Sequence, residues 1–129
     1  MDCDCQIRSE RRRSSRILAI PNETRLEWTA PGRRQTCRGT VLNVSQTGAL
    51  VATDALPDMN HELLIRLRKP VQTDWTGARA VRLAEGNRLG IEFTGTTPYD
   101  FILGATLGID LGKLVANLPE DERFTLSTD

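Results

Sequence analysis

Five arginines, Arg8, Arg11, Arg12, Arg13 and Arg16, fall within nine residues near the front of a chain whose 17 basic side chains are matched by 17 acidic ones. A guanidinium is a flat fork of five donors that pairs bidentately with phosphate oxygens or with the O6/N7 edge of guanine, and its face stacks on rings. Residues 1–40 hold nine basic and five acidic side chains, residues 41–93 six of each, and residues 94–129 two and six. An anion site therefore belongs near the front. Taken alone, the run fits a solvated arm first and a nonspecific nucleic-acid arm second.

A second polar element begins 27 residues after Arg16, in Asn43-Val44-Ser45-Gln46-Thr47-Gly48. Asn43 and Ser45 are two apart, which puts them on one face of a strand. Their amide and hydroxyl groups can both donate and accept. The same residues are ordinary turn formers, and a hairpin connection with Gly48 at positive φ would also use them.

Other chemistries find little support. One histidine, His61, no H-E-x-x-H, no G-x-S-x-G and no Walker loop leave no nucleophile with a poised base, so no enzyme is expected. Cys3 and Cys5 with Cys37 and His61 lack the paired spacing of a zinc site, and three cysteines do not make a disulfide framework. Trp28 and Trp75 could stack on bases, but at strand positions they read as core or rim packing.

The elements that would position these groups are short strands. TRLEWT, QTCRGTVLN, GALVAT, ELLIRLRK, WTGARAVRLA and NRLGIEFT follow one another from Thr24 to Thr94. Turn chemistry separates them at Pro31-Gly32, Ser45 to Gly48, Pro57-Asp58 with Asn60, Pro70 with Asp74, and Glu85 to Asn87. Leu26 and Trp28 alternate with Arg25 and Glu27, and Leu63, Ile65 and Leu67 with Leu64, Arg66 and Arg68. Each strand thus has a core face and a wetter one. Six such strands in about 70 residues predict a tightly meandering, mainly β fold, a six-stranded antiparallel small β-barrel.

After Phe93 the spacing turns helical, with Thr97 as a cap, Pro98 at the first position, and Gly104 and Gly108 weakening the helix. A second helical piece spans Ile109 to Leu118. The predicted organisation is an arginine-rich arm over 1–16, a barrel over 17–94 and a helical extension with an acidic tail over 95–129. No run of 18 apolar residues and no signal-type stretch occurs, so a cytoplasmic chain without membrane contact is expected.

R-x-x-x-R at Arg12 and Arg16, followed by N-x-S-x-x-G at Asn43, Ser45 and Gly48 in a small barrel, resembles the PilZ domain family. The resemblance runs from about Glu10 to Phe93, where Asn87 to Phe93 look like the last barrel strand. It implies a ligand, cyclic di-GMP, bound by Arg12, Arg16, Asn43, Ser45 and Gly48, the glycine letting backbone approach the ligand. The family places Asp or Asn at the first position of the second motif. Asn43 keeps the carbonyl acceptor, adds an amide donor and removes a charge. A basic residue at Arg11 goes, in the family, with a stacked pair of ligands, so two bound molecules are implied.

The resemblance implies a sensing adaptor whose arm changes conformation on binding and alters the surface offered to an unidentified protein partner. The apolar residues of the C-terminal segment, Phe101 to Val115, either pack on the barrel or form a dimer or partner surface. Two other readings compete: a small barrel that binds RNA or single-stranded DNA through the arm, and a ligand-free interaction module.

Overall fold

The alternating segments become seven strands: β1 Ile17–Leu18, β2 Glu23–Ala30, β3 Arg33–Val44, β4 Gly48–Thr53, β5 Glu62–Lys69, β6 Thr76–Ala84 and β7 Arg88–Phe93. The structure, a computed structural model, describes residues 15–116. All strand pairs are antiparallel, in the order β1-β3-β2-β5-β6-β7-β4, and a β3–β4 pairing closes six of them into a barrel. Leu26, Val44, Val51, Ile65, Leu67, Ala80 and Leu89 fill its interior with no exposed surface. Arg25, Glu27 and Arg66 alternate with them outward, as their period-two spacing requires.

The meander expected from the short turns is broken once. β2–β3, β3–β4, β5–β6 and β6–β7 pair as neighbours, but β4 pairs with β3 and β7, and β5 with β2 and β6. The segment between β4 and β5, residues 54–61, is long enough to carry the chain past the barrel end, whereas a two-residue hairpin would force the strands together.

β3 is twelve residues long and has too many backbone groups for one neighbour on that edge. Its first part pairs with β2 as far as Gly39 opposite Thr24. Beyond that point β2 has turned away, and three substitutes take over. The Asn22 amide accepts from the Val41 N–H at 2.8 Å and donates to the Val41 carbonyl at 2.9 Å. The Ala19 N–H donates to the Leu42 carbonyl at 3.1 Å. β1 then pairs Ile17 with Val44 and Leu18 with Asn43. Two-residue β1 left no periodic signal in the sequence, because its side chains are exposed and it is ordered by backbone pairing.

Two helices follow the barrel: α1 Tyr99–Leu107 and α2 Leu111–Ala116. Pro98 is the N-cap of α1 rather than its first residue, and Thr97 makes no capping bond with its side chain. Asp100 instead accepts from the Phe101 N–H at 2.7 Å. The two glycines that looked like weaknesses each have a place. A Cβ at Gly104 would lie 2.6 Å from Val71 Cγ2 and 2.7 Å from Leu67 Cδ2, so the bare glycine lets the helix come this close to the barrel. Gly108, at φ 70°, ends α1 in the left-handed region. α2 starts two residues later than expected because Asp110 caps it, accepting from the Lys113 N–H at 3.0 Å.

α1 is fixed to the barrel. Phe101 and Ala105 are wholly buried, the Phe101 ring meets Phe93 edge-on at 6.0 Å, and the Ile20 N–H donates to the Ala105 carbonyl at 2.9 Å. Trp28 is a core residue, and Trp75 sits at the rim with the Arg66 guanidinium 5.1 Å from its ring centre. Cys37 is buried, and desolvation pushes its thiol above the ordinary value.

Asn22→Ala leaves the Val41 N–H and carbonyl without their partner. It is expected to cost about 1–3 kcal/mol in denaturant unfolding, with faster hydrogen exchange at Ala19 and Val41.

Candidate ligand-binding site

The pairing of β1 with the end of β3 decides where the arginine arm enters the fold. Arg16 directly precedes β1, and its Nη1 donates to Asn43 Oδ1 at 2.8 Å across 27 residues of sequence. The last arginine of the arm and the first residue of the N-x-S-x-x-G element are thereby brought together on one surface. Arg16 is exposed and Asn43 partly so, so the remaining guanidinium donors stay open to solvent. Arg11 and Arg12 lie outside the described residues.

Asn43 and Ser45 do not share a strand face in the way their spacing suggested. β3 has a bulge at Leu42, where the register with β4 shifts between Val41 and Asn43, and the strand ends at Val44. Ser45, 6% exposed, turns inward. Its N–H donates to the Gly48 carbonyl at 2.8 Å, and its Oγ accepts from the Thr47 N–H at 3.2 Å and lies 3.4 Å from the Gly48 carbonyl. The hydroxyl therefore holds the 45–48 turn in shape.

Gly48 is demanded by closure rather than by a left-handed turn. The positive-φ glycines among the described residues are Gly32, Gly86 and Gly108. A Cβ on Gly48 would collide with the Ile91 carbonyl of β7, with Ile91 C at 3.2 Å and Glu92 Cα at 3.3 Å. The turn is also tied to β7 by the Phe93 N–H donating to the Thr47 carbonyl at 2.9 Å. Arg16, Asn43, Ser45 and Gly48 thus occupy one end of β3, with the glycine at its foundation.

Beside the Arg16–Asn43 pair is a recess of about 380 Å³ lined by Ser15, Ile17, Ser45, Gln46, Tyr99 and Ile102, among others. A larger cleft of about 560 Å³ lies at the far end of β3, between Thr29 and His61. It contains none of the motif residues and is spanned by a 2.6 Å contact from His61 Nε2 to the Thr29 carbonyl. Ser45 of the second motif lines the first recess, and Arg16 lies between its lining residues Ser15 and Ile17, so volume is a poor guide here. No three His, Cys, Asp or Glu side chains gather as a metal site among the described residues.

The PilZ domain family matches residues 10–103, which takes in the arm's Arg12 and Arg16, the barrel and the start of α1. The chain belongs to the PilZ domain family. Its members are cyclic di-GMP-binding receptor modules, and the closed six-stranded barrel seen here is the fold that the resemblance implied. A search of curated proteins finds no match. No helix among the described residues is long and apolar enough to cross a membrane.

Two contributors to this PilZ surface gave little warning in the sequence. Asn22 belongs to none of the alternating strand segments, yet it bridges to β3. Tyr99 reads as a helix residue, yet it is 55% exposed beside the motif turn.

Gly48→Ala is expected to destabilise the barrel by about 1–3 kcal/mol, the usual penalty of forcing an extra carbon into close packing. A fall in the thermal midpoint of the apo protein checks this, and an unchanged midpoint would mean that β4 and β7 are not held this close.

Proposed function

We propose that this chain is a non-catalytic cyclic di-GMP receptor in which Arg12, Arg16, Asn43, Ser45 and Gly48 form the ligand site. The observation that carries the reading is the Arg16–Asn43 hydrogen bond, which joins the two halves of the family's sequence signature on one surface. A guanidinium already oriented by Asn43 keeps free donors for guanine O6/N7 or a phosphate oxygen. Arg12, four residues upstream, supplies a second fork for the opposite guanine or phosphodiester. Ser45 and Gly48 serve by fixing the turn against which the ligand lies.

In this reading the arm orders around the ligand, and the changed surface is what a protein partner reads. Leu107, Ile109 and Leu114 remain exposed at the C-terminal end of the fold, which supports a role for that segment toward a partner or a second copy. Arg11 adds a cation that offsets the charge of a second ligand, so two stacked molecules per chain are proposed. The receptor is taken to act in the cytoplasm. The choice of cyclic di-GMP over a nucleic-acid strand rests on the paired motifs and on the family.

Arg12→Ala and Arg16→Ala are each expected to abolish cyclic di-GMP binding in titration calorimetry while circular dichroism shows an intact barrel. Wild-type affinity in both variants would refute the assignment. Saturation at two ligands per chain, falling to one in Arg11→Ala, is the expected stoichiometry, and one ligand per wild-type chain would refute the role of Arg11.

Asn43→Asp restores a charge opposite Arg16 and makes their hydrogen bond charge-assisted. It is expected to hold Arg16 more firmly and to change affinity by less than about tenfold, whereas Asn43→Ala should weaken binding more. An Asn43→Ala variant with unchanged affinity would remove Asn43 from the site.

A further inference from the structure

The recess next to Arg16 has two kinds of wall. Ile17, Tyr99 and Ile102 are apolar, while Ser15, Ser45 and Gln46 carry groups that donate and accept. Ile17 is 51% and Tyr99 55% exposed, so two large side chains from separate elements stand open to water at the border of one cavity. Its volume of about 380 Å³ is at the low end for small-molecule sites, which run from about 300 to 1,000 Å³. That suits one planar base rather than a whole cyclic dinucleotide.

We propose that this recess receives one guanine base, stacked on the Tyr99 ring, which makes helix α1 part of the ligand site. The inference rests on the reading of the chain as a cyclic di-GMP receptor and adds a subsite that neither sequence motif contains. Arg16 is adjacent in sequence to Ile17, and Asn43 to Val44, another residue of the cavity lining. Ile17 and Val44 are register partners whose side chains face away from those of Arg16 and Asn43, so a phosphate or sugar edge held at the Arg16–Asn43 pair brings its own base to the recess by reaching over β1, the edge strand.

A base has an apolar π-face on which any aromatic ring can stack and a polar edge that needs partners. Tyr99 supplies the ring, and Gln46 and Ser15 supply polar groups at the border. An aliphatic side chain from a partner protein would use the apolar wall but leave those polar groups without a role.

Tyr99 is well suited to act as a fixed wall. It opens α1, and that helix is pinned by the wholly buried Phe101 and Ala105 and by the Ile20–Ala105 backbone hydrogen bond. A ring carried on an anchored helix loses little freedom on binding. A base seated on it would press directly on the helix that leads to the exposed Leu107, Ile109 and Leu114, giving ligand binding a physical route to the C-terminal segment.

Tyr99 is the only tyrosine in the chain, so incorporation of 3-fluorotyrosine places a single fluorine reporter in the recess. The experiment is a titration of the full labelled chain with cyclic di-GMP, followed by fluorine NMR and by calorimetry in parallel. The expected result is a fluorine resonance that moves and saturates at the calorimetric stoichiometry. Tyr99→Phe is expected to keep affinity within about threefold, because stacking needs the ring and not the hydroxyl. Tyr99→Ala is expected to lose about five- to hundredfold, the range for removing one base-stacking aromatic.

Calorimetric binding with an unmoved fluorine signal, or wild-type affinity in a folded Tyr99→Ala chain, would overturn the base recess and leave the receptor reading standing. No binding of cyclic di-GMP to the unlabelled wild-type chain would overturn the receptor reading, and the recess assignment with it.

Discussion

One edge of β3 has to be satisfied along twelve residues by partners that cannot run its full length. β2 covers it only as far as Gly39, and the backbone groups of Val41 to Val44 would otherwise be stranded against the core. Unpaired buried N–H and carbonyl groups are costly enough that the chain recruits what is nearest. It uses the Asn22 side chain, the Ala19 amide and β1. This patch of edge pairing brings Arg16 onto the barrel and lays it against Asn43. The proposed ligand surface is a by-product of completing a sheet.

The opposite edge imposes a second condition. β4 must reach β7 to close the ring, and Gly48 is where the two backbones come closest. The turn from Ser45 to Gly48 is thereby held from both sides, by the Ser45 hydroxyl within and by the Phe93–Thr47 hydrogen bond from β7. Sensing needs such rigidity at one half of the site if the other half is an arm whose position depends on the ligand. In the proposed receptor the ligand would contact this stiff turn as well as the arginines of the arm.

Much of this was legible from residue types. β4 and β5 match GALVAT and ELLIRLRK residue for residue, since strict alternation and Gly, Pro and Asn turns leave a strand few other positions. Arg12, Arg16, Asn43, Ser45 and Gly48 were legible as a joint pattern, although each is weak alone. What the sequence hid has physical causes. The β4–β5 crossover depends on barrel closure, a long-range property that local turn chemistry does not encode. The inward turn of Ser45 follows from the end of β3 at Val44, beyond which the period-two alternation no longer holds. The roles of Asn22, Gly104 and Tyr99 come from what packs against them, and no periodicity reports that.

In the proposed function the arm and the β3 turn recognise a guanine dinucleotide and not nucleic acid or phosphate in general. Titration calorimetry of the full chain with cyclic di-GMP, GTP, cyclic di-AMP and a single-stranded oligonucleotide, at low and high salt, tests it most directly. The expected result is saturable binding of cyclic di-GMP that persists at high salt, with GTP and cyclic di-AMP far weaker. Preferential binding of the oligonucleotide with a steep loss of affinity in salt, or no binding of cyclic di-GMP at all, would contradict it.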